Sequence, residues 1–303
     1  MPTKDRTGLA ILLSLIALAL FDAMGLIIKH LSAGYSAAEL SAWRNLFGLV
    51  PATIALWSSR SWHNAGRKLR IRQWRLALAR GAIVTGAQLS FYLSLGRLEF
   101  ATASTITYAN ALFMTAMAVP LLGEKVGPLR WAAVMIGFVG VILVMQPGSD
   151  AFSTDALLPL IAAFLYALVG VTARLFDDDV PSPLVNLYSS VTSLAGAFVV
   201  ALFWGGFTPI ANSTDMAWIV AMGAVGGTAV LFLVVSYRMT EQSNLAPFSY
   251  FGIPMAFVLG WIFFDETPFD ALFPGALLIA AGGLMIIWRE RVLRQRSKAS
   301  VAE

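Results

Sequence analysis

The chain has 303 residues, of which 58% are hydrophobic and 13% charged, and its formal net charge is +4. Soluble domains average about 45–50% apolar and about 25% charged residues, so a mean hydropathy of +0.75 assigns most of this chain to lipid rather than water. Zero cysteines exclude disulfides, thiol catalysis and thiolate metal sites, and His30 and His63 are the whole imidazole supply, so no metal site is expected.

Apolar runs recur over residues 9–31, 36–57, 73–96, 101–122, 128–146, 155–175, 184–204, 215–237, 245–264 and 270–288. Each is close to the roughly 20 residues that a helix needs to cross about 30 Å of hydrocarbon. Lipid offers no partner to backbone polar groups, so each run is predicted to be a helix. The first run is too long for a signal-peptide core and is expected to stay as the first helix. It contains Asp22, a carboxylate deep in an apolar segment, predicted to meet a substrate ammonium or to carry a proton. Lys29 and His30, near its end, are expected to snorkel.

The second run carries Arg44 about 12 Å from its start. The loop that follows holds Arg60, Arg67, Lys68, Arg70, Arg72 and Arg75, and Arg80 beyond it is expected to snorkel into the same region. With ten spans this loop, the N-terminus and the arginine-rich tail fall on one side, which the lysine and arginine bias makes cytoplasmic. These basic residues sit between apolar runs, so they set topology; no nucleic-acid partner is expected.

On the third run Gly81, Thr85, Gln88 and Tyr92 form one small, polar helical stripe that should face the interior. The fourth presents Tyr108, the sixth Phe164 and Tyr166, the seventh Asn186 and Tyr188, the eighth Phe232, and the ninth Pro247, Tyr250 and Pro254. Asp22, Gln88, Tyr92, Tyr108, Tyr166, Tyr188 and Tyr250 are therefore the expected substrate-binding residues. Rings would stack on an aromatic solute while hydroxyls and amide take its polar end. Arg44, Glu124, Glu266, Pro247 and Pro254 are expected to be structural or gating residues. Glu124 and Glu266 are predicted to accept from the N-terminal amides of the helix that follows each of them. Gly223 and Gly227 form a small-xxx-small pair for close helix packing.

Sliding the chain by 142 residues without gaps aligns Ser94 with Ser236, Glu99 with Glu241, Tyr108 with Tyr250, Glu124 with Glu266 and Gly140 with Gly282. This predicts an internal duplication: residues 1–150 as a first five-helix repeat, 151–290 as a second, and 291–303 as a basic cytoplasmic tail. Five is odd, so the second copy enters the membrane inverted, an architecture suited to alternating access. The fold class expected is an all-α integral membrane protein of ten transmembrane helices in two inverted repeats.

The stretches "SAAELSAWRNLFGLVP", "ATASTITYANALFMTAMAVPLLGEKV" with "RWAAVMIGFVGVILV", and the second copy "FFDETPFDALFPGALLIAAGGLMII" carry a resemblance over about residues 8–290. In them the chain resembles the drug/metabolite transporter superfamily, in its EamA-type ten-helix branch, whose members often carry an arginine like Arg44. The resemblance implies a carrier of small metabolites in the bacterial inner membrane, most like exporters of aromatic and other amino acids. A drug- or nucleoside-type exporter of the same fold is the alternative. A channel or helper subunit would show a longer continuous polar lining, and a lipid-modifying enzyme would cluster reactive side chains at mid-membrane. The chain has neither pattern, nor a phosphate-binding glycine loop, so it is not expected to be an enzyme and no cofactor is expected. The partners implied are a small-molecule substrate, an amino acid or similar amphipathic metabolite, and membrane lipid. A monomer is expected, because the repeat supplies both halves.

Overall fold

The computed structural model describes residues 7–123, 126–146, 153–177, 179–239, 245, 248–267 and 272–302, and among them every long element is a helix. Glu124 and Pro247, expected above to matter, lie outside the described residues. The helices are α1 (Thr7–Leu31), α2 (Ala37–Trp57), α3 (Arg60–Asn64), α4 (Trp74–Leu95), α5 (Phe100–Thr107), α6 (Asn110–Leu122), α7 (Pro128–Met145), α8 (Leu157–Thr172), α9 (Ser182–Phe203), α10 (Ser213–Met239), α11 (Gly252–Phe264) and α12 (Gly275–Ala302). Among the described residues, seven segments are long and apolar enough to cross a bilayer. The other three expected spans correspond to α2 and to the shorter apolar stretches Gly252–Phe264 and Gly275–Arg289. Large apolar side chains such as Ile142, Phe203 and Trp261 point outward. Together these mark a multi-pass membrane protein.

Local sequence sets the ends of these helices. Ser36 and Glu39 form a capping box at the start of α2, with the Ser36 amide donating to Glu39 Oε2 at 2.7 Å and the Glu39 amide to Ser36 Oγ at 3.3 Å. Pro128 occupies the first turn of α7, where its missing N–H costs nothing. The helices α6 and α11 both stop at a left-handed residue, Gly123 (φ 68°) and Asp265 (φ 55°). Their amides donate to Val119 O and Trp261 O, closing the last turn in the same way at positions 142 apart.

The expected fourth and ninth spans are both interrupted midway, and at matching places. After α5 the Ala109 amide turns to Ile106 O at 3.0 Å, and Phe113 N then donates to Ala109 O at 3.2 Å. Before α11 the same two bonds recur as Phe251 N to Phe248 O at 3.1 Å and Met255 N to Phe251 O at 3.2 Å. Tyr108 and Tyr250 therefore each stand at a helix break. Pro254, expected to be structural or gating, lies in the first turn of α11, just past the break, where no intrahelical donor is needed and where its side chain is exposed.

Helices from 1–150 pack chiefly on helices from 151–290. α1 lies against α10 and α4 against α8; α2 meets both α9 and α10; α7 meets α12. Glycine permits the closest of these approaches. A Cβ on Gly140 would stand 2.6 Å from Gly275 O, and one on Gly282 would stand 2.6 Å from Ala133 O. A 142-residue shift exchanges these two contacts, so the α7–α12 interface is self-complementary about a local twofold. The expected Gly223–Gly227 pair also packs closely: Gly223 sits against Phe47 and Gly227 against Pro51, seating α10 on α2.

Gly282→Val should force α7 and α12 apart, costing about 1–3 kcal/mol by overpacking. The check is the thermal unfolding midpoint in detergent, which should fall for Gly282→Val and stay unchanged for Gly34→Ala, whose added Cβ meets nothing within 4 Å.

Candidate functional site

A cavity of about 510 Å³ lies among α1, α2, α4, α5, α8, α9 and α10. Its lining runs from Asp22 and Tyr108 at mid-molecule to Ala55 near the end of α2, Arg80 near the start of α4, Val169 late in α8 and Pro183 at the start of α9. It therefore extends toward the face that carries loops 58–73 and 173–181, here the basic face.

Two opposite charges line this cavity without neutralising each other. Asp22 is 8% exposed, and its Oδ2 has no hydrogen-bond partner. Arg44 donates from Nη1 to Asn45 Oδ1 at 3.1 Å while its buried Nε has no partner. Among the described residues the ion pairs are Lys29–Glu266 and Arg97–Asp155, so neither cavity charge belongs to one. A lone charge at mid-membrane costs about 2.5–3.5 kcal/mol on insertion scales, which points to function rather than packing.

The expected α4 stripe does face inward, with Thr85, Gln88 and Tyr92 all buried. Gln88, however, is already committed. Its Oε1 accepts from Ser41 Oγ at 3.0 Å, Asn45 Nδ2 at 2.8 Å and Ser193 Oγ at 3.1 Å, and its Nε2 donates to Asn45 Oδ1 at 3.4 Å. This network ties α2, α4 and α9 together behind the charges. An asparagine and a serine four residues apart in an apolar helix were the legible sign of it. Arg80, expected to snorkel, reaches sideways instead: Nη1 donates to Ser189 Oγ at 2.9 Å and Nε to Val169 O at 3.3 Å.

The aromatic walls are partly as expected. Tyr92, Tyr108 and Tyr166 line the cavity, joined by Phe21, Phe91 and Phe100, which sequence reasoning did not single out. Tyr250 lies behind Tyr108, with ring centroids 6.4 Å apart, and belongs to the core around α7 and α12. Its hydroxyl is buried without a partner and rests against Gly283. Tyr188 is a correction. Its hydroxyl donates to Leu69 O at 3.0 Å and its ring packs near Leu184 and Trp62, outside the cavity. Asn186, on the same helix, lines the cavity instead. Tyr166 likewise points inward, while Phe164 points out, where it meets Phe113 edge-on. Phe232 is likewise absent from the lining, which takes Leu231 and Leu233 from α10.

Polar contacts link helices and loops at the end opposite the basic face. Tyr35 donates to Asp215 Oδ2 at 2.8 Å, the Thr208 amide donates to Glu39, and Arg97 pairs with Asp155 at 2.8 Å. Lys29 pairs with Glu266 at 2.7 Å instead of snorkelling. Glu266 caps a helix N-terminus in the other half: its Oε2 accepts from Phe100 N, the first residue of α5, at 2.6 Å; residues 268–271, which follow it, lie outside the described residues. Inter-half packing brings the end of α11 to the start of α5, and sequence adjacency is a poor guide to that neighbour.

Residues 8–146 and again 154–288 match the EamA-like transporter family. The riboflavin transporter of Rhizobium johnstonii is 32% identical over 180 residues, spanning 59% of this chain and 58% of that one. The S-adenosylmethionine uptake transporter of Rickettsia felis is 24% identical over 95% of both chains. The pseudopaline exporter of Pseudomonas aeruginosa is 22% identical over 93% of this chain and 95% of that one. A solved crystal structure superposes with a TM-score of 0.64 at 18% identity, covering 94% of this chain and 99% of that one, and shares the fold. The two family matches account for almost the whole helical body, and the chain belongs to the EamA-like transporter family.

Proposed function

We propose that the chain is a secondary carrier that exports an aromatic or other amphipathic amino acid, or a metabolite bearing an amino-acid end, across the bacterial inner membrane. One observation carries this reading: Asp22 and Arg44 lie unpaired in one aromatic-walled cavity. Asp22 takes the substrate's ammonium group, Arg44 its carboxylate, and Tyr92, Tyr108 and Tyr166 its apolar body. A zwitterion satisfies both charges at once, whereas an uncharged solute leaves two buried ions without partners.

The cycle is alternating access. Residues 1–150 and 151–290 act as inverted five-helix repeats, supported by helix breaks and left-handed caps 142 residues apart. Both termini and the tail 291–303 lie in the cytoplasm, supported by the basic loop, and the cavity faces that side. The carrier acts as a monomer.

A second reading has its own support. A cavity near 510 Å³ lies in the range of drug-sized ligands, and similar chains are named for riboflavin and S-adenosylmethionine. The substrate is then a larger metabolite of the same amphipathic kind.

Counterflow in proteoliposomes separates these readings. Vesicles loaded with phenylalanine, threonine, riboflavin, S-adenosylmethionine or nothing would be offered the labelled compound. Saturable accumulation with an amino acid supports the first reading; accumulation with riboflavin or S-adenosylmethionine alone supports the second; none from folded protein overturns both. Asp22→Asn should raise the KM for a zwitterionic substrate by about tenfold or more, the loss of one hydrogen bond to a charged group. Tyr108→Ala should weaken counterflow in the same assay. Tyr188→Phe should leave it unchanged, because that hydroxyl serves only Leu69 O among the described residues.

A further inference from the structure

Lys29 and Glu266 meet directly beyond the inner end of the cavity. Glu266 Oε1 holds the Lys29 ammonium at 2.7 Å, and Oε2 accepts the Phe100 amide at 2.6 Å. Lys29 also donates to Leu98 O at 2.5 Å and lies 5.2 Å from the centre of the Phe264 ring. Both side chains are only 14% exposed, so water screens the pair weakly. The ion pair thus joins four places: α1, the turn before α5 through Lys29, and the first amide of α5 and the end of α11 through Glu266.

What this joint holds is the inner end of the site. Phe100, whose amide it grips, is 1% exposed and lines the cavity. The Phe100 ring fills the space beside Gly25 of α1, where an added Cβ would stand 2.8 Å from Cε2. The same short helix carries Ser104 and Thr107 into the cavity and stops at the break before Tyr108. A helix of eight residues has few hydrogen bonds of its own, so its position depends on what grips its ends. A carboxylate is the strongest grip available there, because it meets both an N-terminal amide and the positive end of the helix dipole.

We propose that Lys29 and Glu266 are positioning residues of the transport cycle. Together they lock α5 against α1 and keep the cavity shut at the end remote from the basic face. That end opens only when Glu266 releases the Phe100 amide and Lys29. The proposal rests on the carrier reading above, but its test needs no substrate.

The native chain has no cysteine, so one introduced thiol is a clean reporter. Ser104→Cys places it on α5 in the cavity lining. Reaction with a membrane-impermeant maleimide would be timed in vesicles of each orientation. With the joint intact, labelling should be fast from the basic face and slow from the remote face. Lys29→Met and Glu266→Gln should each raise the remote-face rate by about tenfold, the population shift expected on losing one charge-assisted contact. Lys29→Arg should keep the remote face closed. The exchanged pair, Lys29→Glu with Glu266→Lys, should not restore closure, because the α5 amide then faces a cation. Unchanged remote-face rates in Lys29→Met and Glu266→Gln would overturn the proposal, and full closure in the exchanged pair would remove the amide from it. If Glu266→Gln does not reach the membrane, Lys29→Met decides alone, since it leaves the carboxylate on α5. Absent counterflow with these rates shifted would sink the substrate reading and spare the joint; the reverse pattern would sink the joint alone.

Discussion

A backbone break inside a bilayer is tolerable only where protein, not lipid, surrounds it. The described residues contain two, at Tyr108 and Tyr250, and much of the architecture packs around them. The α5–α6 break is enclosed by α8, α11 and α1, and Tyr250 lies in the core formed by α7 and α12. Short i→i−3 bonds take up the amides that a continuous helix would have used. Two rings, 6.4 Å apart, then occupy the centre of the protein.

Charge is distributed by the same logic. Towards the remote end buried or half-buried acids have partners: Glu39 takes two amides, Asp215 a tyrosine hydroxyl, Glu266 a lysine and an amide. In the cavity Asp22 and Arg44 are left with unfilled valences. The contrast matters more than either fact alone. A chain that satisfies its buried ions at one end and leaves two unsatisfied at its centre has kept their capacity for something that comes and goes.

Much of this was legible in the sequence, because lipid imposes coarse rules. Span lengths, the 142-residue echo and the α4 stripe followed from apolar run length, exact spacing and helical period. Asp22 was legible because an acid within an apolar run has few structural excuses. Tyr188 and Phe164 are aromatic residues on helices that do reach the cavity, but Asn186 and Tyr166 are the neighbours turned toward it, and residue type alone does not distinguish them. The α5 amide as partner of Glu266, and Lys29 as its counter-ion, depend on contacts between distant halves, which no local pattern encodes. Gln88 lines the cavity as expected, but its partners Ser41, Asn45 and Ser193 come from two other helices and were not legible from its own.

The interleaving of the halves has a consequence for how such a chain is made. α1 finds its main neighbour in α10, and α7 in α12, so neither meets its main partner until helices far along the chain have been made. Insertion and assembly are therefore separated in time. During that interval Asp22, Arg44, Asn45 and Gln88 sit in segments whose packing is incomplete, with Ser193 of α9 not yet present to close the amide network. The first half must persist in lipid as a set of individually stable helices, and only the arrival of the second converts it into a container.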